Sequence, residues 1–228
     1  MRPLLAPSLM CADWLHLQDE IERLERAGAD LFHFDVMDTT FTGSTMMPPL
    51  LLPLIRGVSA VPFDVHIMSQ PPGALLRQVL PHCAGGYVTV HAEATKELQA
   101  VMKEIRDAGG KAGVALNPGT PLCFLEEVAD VADLVLLMTC NAGLGPRQEL
   151  TGQLLRKISR ARALLDAAGR GDVRIEVDGN ITPENARRTR QAGADTFVLG
   201  TRGVFRPGMT IEESCADIRR ALAAAGSP

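Results

Sequence analysis

Aromatic residues make up only 4% of this 228-residue chain, although 46% of its residues are hydrophobic. A core with so few rings must be aliphatic, and Val, Leu, Ile, Ala and Met suit a buried parallel sheet that helices cover. The length fits one large domain, since α/β barrels commonly run to about 200 to 250 residues. We therefore expect residues 1–228 to form a single α/β domain.

The chain also lacks an excess of positive charge, because its 27 acidic residues outnumber its 23 basic residues and its net charge is -4. Such a chain has no basic field to attract nucleic acid or an anionic membrane. Its 5 cysteines lack CxxC spacing, which favours reduced thiols. No apolar run reaches the roughly 18 residues of a membrane span, and prolines interrupt the region where a signal peptide would need an apolar stretch. We expect a cytoplasmic protein with no nucleic-acid partner and no membrane partner.

Apolar runs alternate with segments of helical periodicity along the whole chain. Predicted strands cover residues 4–8, 31–36, 61–68, 87–91, 112–116, 134–138, 173–177 and 196–199. Predicted helices cover residues 15–27, 50–58, 71–82, 96–108, 121–128, 148–168 and 183–192, and an eighth follows the last strand. Strand–helix pairs that repeat without a linker favour a closed (β/α)8 TIM barrel over an open doubly wound sheet.

The run 31–38 combines unlike side chains in one apolar segment. Side chains alternate along a strand, so His33, Asp35 and Met37 share one face. A histidine and a carboxylate two residues apart lie about 7 Å apart along a strand. Both can therefore reach one ion or one small substrate, which makes this run a candidate site.

Other polar side chains end predicted strands at the barrel face where enzymes of this fold have their active sites. His66 lies two residues before the end of the third strand, and Asp178 follows the seventh. With His33 and Asp35 they form a set that suits Zn, Mn, Fe or Co better than Ca or Mg. One buried histidine is more often a satisfied core residue, but unpaired charges inside a barrel are costly. The sequence therefore predicts one divalent metal ion.

Methionines follow the apolar part of three predicted strands, at Met37, Met68 and Met138. Core filling is the ordinary role of a strand methionine. Their shared position instead favours an apolar ceiling that keeps bulk water from a reactive intermediate.

Further titratable residues stand at or near strand ends. An ion pair at the rim or behind the metal ligands is the ordinary alternative for Asp38, Asp64, Glu93 and Glu176, and we assign none of them a catalytic role. His91 ends the fourth strand beside Glu93. Two alternatives stay open for it, a hydrogen bond at the rim and a contact with the substrate.

Glycine-containing loops follow the sixth, seventh and eighth strands. Backbone N–H groups in these loops commonly bind a phosphate in barrel enzymes, although such loops need glycine for their turns in any case. The candidate phosphate-binding residues are Gly143, Leu144, Gly145, Gly179, Asn180, Gly200 and Thr201. Two alternatives stay open for Arg147 and Arg202, a positive charge at the phosphate site and an ordinary solvated position in a loop.

Several motifs follow one another along nearly the whole chain. They are Ala6-Pro7-Ser8, His33-x-Asp35-Val36-Met37-Asp38, Asp64-Val65-His66-x-Met68, His91-x-Glu93, Leu116-Asn117-Pro118 and Glu176-Val177-Asp178-Gly179. This set resembles the ribulose-phosphate 3-epimerase family, including relatives that act on other ketose phosphates. The resemblance implies a ribulose-phosphate binding barrel and a metal-dependent isomerase of carbohydrate metabolism, in the pentose phosphate pathway.

The resemblance also implies roles for individual residues. The metal ligands would be His33, Asp35, His66 and Asp178, with Asp35 and Asp178 as the catalytic acid and base. The substrate contacts would be Ser8, Met37, His66, Met68 and Met138. The implied reaction converts D-ribulose 5-phosphate to D-xylulose 5-phosphate through an enediolate.

The loop 39–44 reads Thr-Thr-Phe-Thr-Gly-Ser, where the family usually has Gly-His-Phe-Val-Pro-Asn. Another ketose phosphate, such as D-allulose 6-phosphate, is therefore the alternative substrate. A sugar-acid phosphate decarboxylase is a further alternative, disfavoured because no strand end carries the lysine that it would want. A non-catalytic sugar-phosphate binder is the last. We also expect a homo-oligomer, of a size that the sequence does not give.

Overall fold

Parallel strands alternate with helices in the computed structural model, which describes residues 1–143 and 149–226. The strands are β1 (Leu4–Pro7), β2 (Phe32–Met37), β3 (Phe63–Met68), β4 (Tyr87–His91), β5 (Lys111–Leu116), β6 (Leu134–Met138), β7 (Arg174–Asp178) and β8 (Thr196–Leu199). The helices are α1 (Leu17–Arg26), α2 (Leu51–Arg56), α3 (Gly73–Val79), α4 (Leu98–Asp107), α5 (Cys123–Glu126), α6 (Gly152–Ala167), α7 (Pro183–Gln191) and α8 (Ile211–Ala224). All predicted strands are present, with bounds that shift by at most two residues.

The strands pair in the order β1-β8-β7-β6-β5-β4-β3-β2, which makes an 8-stranded parallel sheet. Its two edges also meet. Ser8 forms a parallel bridge with His33, and the carbonyl of Leu5 accepts hydrogen bonds from the backbone N–H groups of Asp30 and Leu31. The sheet therefore curves round on itself, and the predicted (β/α)8 TIM barrel is confirmed.

The two faces of the sheet differ in chemistry. Phe32, Phe34 and Val36 of β2 point outward into the aliphatic layer between the sheet and the helices. The alternate residues point into the barrel, where His33 and Asp35 are buried. Apolar side chains fill much of the barrel interior, but β2, β3, β4 and β7 bring polar groups into it. The interior is thus the place where charge and hydrogen bonding have to be satisfied.

Several helices are shorter than their predicted spans. Residues Trp14–His16 form a separate 3-10 turn that the Asp13 side chain caps, and α1 begins only at Leu17. Helix α5 keeps only the middle of the predicted span 121–128. Helix α6 begins after its cap Thr151, and the predicted first residue, Gln148, lies outside the described residues. These shifts affect the loops and leave the strand ends in place.

No helix within residues 1–143 and 149–226 combines the length and the apolar character that crossing a membrane requires.

Candidate active site

The pairing of β2 with β3 brings the first three predicted ligands together. Asp35 lies opposite His66 in the parallel register, and His33 lies opposite Asp64. These positions alternate with outward-facing apolar residues, so their side chains share the barrel interior. His33 and His66 are fully buried, and Asp35 is 3% exposed.

The four predicted metal ligands converge. The Nε2 atom of His33 lies 3.2 Å from Oδ1 of Asp35, and Nδ1 of His66 lies 3.4 Å from the same oxygen. Asp178 reaches this point from β7, and one ligand atom from each residue lies within 4.8 Å of all the others. Two imidazole nitrogens and two carboxylates at such spacing could hold a divalent transition metal or zinc.

One buried atom supports that chemistry directly. Nδ1 of His66 is buried and has no hydrogen-bond partner among the described residues. A buried imidazole nitrogen without a partner is costly, whereas a nitrogen that binds a cation is satisfied. The donor set therefore fits a metal ion, in agreement with the sequence prediction, but it does not distinguish Zn, Fe, Mn and Co.

The two carboxylates have opposite electrostatic surroundings. Burial by itself would raise the pKa of Asp35, but the charge and hydrogen bond of His33 and the adjacent ring of His66 hold this pKa well below its usual range. Burial raises the pKa of Asp178 to about 7, helped by the nearby charges of Asp35 and Asp64. The pair thus offers one group that is ionised and one that carries a proton near neutral pH.

Two neighbours hold the side chains of the candidate ligands in position. The Ser8 hydroxyl donates a 2.8 Å hydrogen bond to Oδ2 of Asp35. Oδ2 of Asp64 lies 2.5 Å from Nδ1 of His33, so this carboxylate orients the ring and leaves Nε2 toward the ligand cluster. Burial would lower the pKa of His33, but the charges of Asp35 and Asp64 raise it well above its ordinary value. The expectation of an ion pair behind the metal ligands holds for Asp64.

Glu176 lies deeper in the barrel and is fully buried. Burial raises its pKa well above the usual range, and the charge of Asp64 adds to this shift. It comes close enough to His33 and Asp64 to form a second cluster of metal-binding type. The sequence prediction of an ion pair is not met, because its two carboxylate oxygens have no hydrogen-bond partner among the described residues.

A pocket of about 260 Å³ opens above the ligands at the carboxyl ends of the strands. Ser8, Asp35 and Asp178 line it, and so do the three methionines Met37, Met68 and Met138. Each of the three methionines is at most 4% exposed. They therefore form an apolar wall beside the carboxylates, at the place predicted for an apolar ceiling.

Residues predicted to bind phosphate line the same pocket. They are Gly143, Gly179, Asn180, Gly200 and Thr201, and Arg202 stands among them. Gly143, Gly179 and Asn180 have positive φ values of 100°, 113° and 52°, so these turns use conformations that favour glycine or asparagine. Leu144, Gly145 and Arg147 lie outside the described residues.

The loop between β2 and α2 reaches the pocket mouth. A Cβ atom added to Gly143 would lie 3.0 Å from Cβ of Thr42, so this loop and the loop after β6 touch. The Phe41 ring lies over His91, with 4.6 Å between ring centroids. Asp38 anchors the start of the loop by accepting a 2.6 Å hydrogen bond from the Ser69 hydroxyl.

His91 forms the hydrogen bond at the rim that was one of its two alternatives. Its Nδ1 atom lies 3.1 Å from Oε2 of Glu93. Burial lowers the pKa of His91 to about 4. Burial would raise the pKa of Glu93, but hydrogen bonds from His91 and Thr120 hold it at about 2. Near neutral pH the His91 imidazole is therefore neutral and can donate a hydrogen bond, and the Glu93 carboxylate is ionised and can accept it.

Sequence reasoning missed several pocket residues. Met10, Cys11, Ile181 and Val198 also line the cavity. Val198 could have been found, because strand alternation turns it inward one residue before the end of β8. Met10 and Cys11 belong to a short 3-10 turn after β1, and no periodicity predicts where such a turn points its side chains.

An eight-stranded parallel barrel with paired carboxylates and a candidate metal centre at the strand ends defines a TIM-barrel enzyme. Comparison with known families identifies which family of TIM-barrel enzymes the chain belongs to. Residues 4–205 match the model of the Ribulose-phosphate 3 epimerase family. The chain belongs to this family, and the prediction of an epimerase, an isomerase that acts on carbohydrates, is confirmed.

Individual relatives agree with the family. The chain is 40% identical over 200 residues to "Ribulose-phosphate 3-epimerase 2" of Cupriavidus necator, with 86% of this chain and 82% of the relative covered. It is 39% identical to the ribulose-phosphate 3-epimerase of Bacillus subtilis, with 86% and 90% covered. The Escherichia coli K12 enzyme of the same name is 37% identical, with 87% of each chain covered.

Solved structures show the same fold at low identity. A phosphoribosyl anthranilate isomerase from Thermus thermophilus superposes with a TM-score of 0.62 at 17% identity and covers 98% of this chain and 99% of its own. A tryptophan synthase structure from Mycobacterium tuberculosis gives a TM-score of 0.66 at 15% identity, with 98% and 92% covered. These likenesses support the TIM-barrel fold alone.

Proposed function

We propose that this chain is a metal-dependent 3-epimerase that converts D-ribulose 5-phosphate to D-xylulose 5-phosphate. The observation that carries the proposal is the convergence of Asp35 and Asp178, from non-adjacent strands, on one cluster with His33 and His66. Relatives that carry the name ribulose-phosphate 3-epimerase support the choice of substrate.

The proposed metal ligands are His33 through Nε2, His66 through Nδ1, and one carboxylate oxygen each of Asp35 and Asp178. A bound Zn, Fe, Mn or Co ion would supply Lewis acidity that polarises the substrate carbonyl at C2 and the hydroxyl at C3, and so acidifies the C3 proton.

Asp35 and Asp178 move the proton in the proposed mechanism. One of the two carboxylates removes the C3 proton, which leaves an enediolate. The other carboxylic acid then donates a proton to the opposite face of C3. The bond to hydrogen breaks on one face and forms on the other, so the configuration at C3 inverts. The reverse reaction exchanges the two roles.

The remaining pocket residues position the substrate in this proposal. Met37, Met68 and Met138 keep water away from the enediolate, which would otherwise take its proton from solvent. Backbone N–H groups of Gly143, Gly179, Asn180, Gly200 and Thr201, with Leu144 and Gly145 of the sixth loop, bind the phosphate. Arg202 adds a positive charge at the same side of the pocket.

The test is proton exchange at C3. Chelated protein is reloaded separately with Zn, Fe, Mn and Co, then incubated with D-ribulose 5-phosphate in deuterated water. We expect deuterium at C3 of both pentulose phosphates only with a metal present. Faster exchange with D-allulose 6-phosphate would transfer the assignment to that substrate. Exchange with neither would favour the non-catalytic binder, and carbon dioxide release from a sugar-acid phosphate would favour the decarboxylase.

We also propose that residues 1–228 form a single cytoplasmic domain that assembles as a homo-oligomer without nucleic acid. Leu15 is 90% exposed and the neighbouring Trp14 is 44% exposed, so the loop after β1 presents apolar surface that a second copy could cover. Sedimentation equilibrium over a range of concentrations tests the assembly, and a monomer at all concentrations would refute it.

A further inference from the structure

We propose that His91 and Glu93 are positioning residues, which hold the ligand His66 in the tautomer whose Nδ1 lone pair faces the cation. This inference rests on the proposed metal site. It assigns a role to two residues that stand outside the ligand set and outside the described lining of the pocket.

The first step is the contact between two buried imidazoles. His66 on β3 and His91 on β4 are both fully buried. Their Nε2 atoms lie 2.9 Å apart, which is hydrogen-bond distance. Such a bond needs one nitrogen that carries a proton and one that does not. The protonation of either ring therefore dictates that of the other.

The second step gives this bond a direction. Nδ1 of His66 faces Asp35 at 3.4 Å and must keep its lone pair free to bind a cation. The single proton of the neutral His66 ring then resides on Nε2 and is donated to Nε2 of His91. The proton of His91 must in turn reside on Nδ1, and Oε2 of Glu93 stands 3.1 Å away to accept it.

The third step is the anchorage of Glu93. Its other oxygen, Oε1, accepts a 2.9 Å hydrogen bond from the backbone N–H of Asn117 and a second one from the Thr120 hydroxyl. Both donors follow β5, so the carboxylate is held between two strand ends. Its fixed position allows Oε2 to act as an acceptor toward His91.

Phe41 covers one side of the hydrogen-bonded series His66–His91–Glu93. Its ring lies over His91 with 4.6 Å between centroids, at an interplanar angle of 38°. An apolar ring at this position limits access of water, which could otherwise accept the proton of His91 in place of Glu93. The loop between β2 and α2 thus contacts the metal site indirectly, through His91.

Glu93→Gln is the informative variant, because the amide has a donor where the carboxylate has an acceptor. If the NH2 group faces His91, Nδ1 of His91 must accept a hydrogen bond, so the proton of His91 moves to Nε2. Nε2 of His66 must then accept as well, which places the proton of His66 on Nδ1, the nitrogen that should bind the cation. If the oxygen faces His91, the NH2 group meets the N–H of Asn117, and one bond is lost. Either arrangement weakens the metal site while the side chain keeps nearly the same shape.

The experiment measures metal affinity and tautomers. Zinc affinity is determined by competition with a chelator for wild type, Glu93→Gln and the control Glu97→Gln, an exposed residue of the same loop whose side chain makes no capping bond. Removal of such a supporting partner typically costs about 10- to 100-fold in metal affinity. We expect a loss in that range for Glu93→Gln and none for Glu97→Gln. A loss below about tenfold overturns the inference.

Correlation spectra of the imidazole nitrogens in the metal-free wild type supply a second readout that needs no variant. We expect a proton on Nε2 of His66 and on Nδ1 of His91. A proton on Nε2 of His91 overturns the inference, even if Glu93→Gln fails to fold. Failure of the proposed function looks different, since the wild type itself would then bind no divalent cation and exchange no C3 proton.

Discussion

Ser8→Ala should slow the proposed epimerisation by removing a single hydrogen bond from Asp35. The Ser8 hydroxyl donates to Oδ2 of this carboxylate at 2.8 Å, and Ser8 is only 3% exposed. In the proposed mechanism the bond orients the Asp35 carboxylate, one of the two groups that transfer the C3 proton, and water has little access to replace the Ser8 hydroxyl. Alanine removes the donor and leaves the backbone bridge between Ser8 and His33 in place.

The magnitude follows from the kind of bond. A hydrogen bond to a charged group contributes about 1.5 to 3 kcal/mol. Each 1.36 kcal/mol lost from the transition state corresponds to about a tenfold change in rate. If the full free energy of this hydrogen bond stabilises the transition state, its loss should lower kcat/KM by about 10- to 150-fold.

The assay is deuterium wash-in at C3 of D-ribulose 5-phosphate with metal-loaded protein. A fall in kcat at unchanged KM indicates that Ser8 acts through Asp35, whereas a rise in KM indicates the direct substrate contact that the sequence predicts. Ser59→Ala is the matched control, because the Ser59 hydroxyl donates a 2.7 Å hydrogen bond to Glu25 on α1, remote from the strand ends. Activity of Ser8→Ala within about twofold of wild type would refute the reasoning.

Three further predictions follow from the same geometry. Asp178→Asn should lower C3 exchange by about 10²- to 10⁴-fold, and sugar-phosphate affinity measured by calorimetry should stay within a few-fold; unchanged exchange would remove Asp178 from the mechanism. Chelation should lower the melting temperature, since metal at about 100 times its Kd stabilises the folded state by about 2.7 kcal/mol, and an unchanged melting temperature would count against a metal site. Gly143→Ala should cost about 1 to 3 kcal/mol in urea unfolding, because φ is 100° and the new Cβ would lie 3.0 Å from Thr42; no loss would show that the loop relaxes.

Local sequence pattern was sufficient for the strands and for the side chains that meet in the candidate metal cluster. Alternation within 31–38 assigned His33, Asp35 and Met37 to one face, and the structure has all three buried in the barrel. Strand-end position alone selected His66 and Asp178, which join His33 and Asp35 in one cluster. Such predictions succeed because the side-chain period of a strand is a property of the local backbone.

Contacts between residues far apart in the sequence could not be predicted from local sequence pattern. Glu176 was expected in an ordinary ion pair, yet it is fully buried near His33 and Asp64, and its carboxylate oxygens have no hydrogen-bond partner among the described residues. Met10 and Cys11 reach the pocket from a turn that has no period. These positions depend on how distant strands are staggered when the barrel closes.

The sequence by itself determined the repeating strand–helix order, the inward face of each strand and the donor types available for a metal ion, because all three depend on neighbours along the chain. Only the tertiary structure decided which inward residues meet. The stagger between β3 and β4 puts His91 behind His66, and the loop after β5 brings Asn117 to Glu93. Proton positions on a buried imidazole depend on its partners in space, so the chemistry of His66 becomes defined only when the barrel has closed.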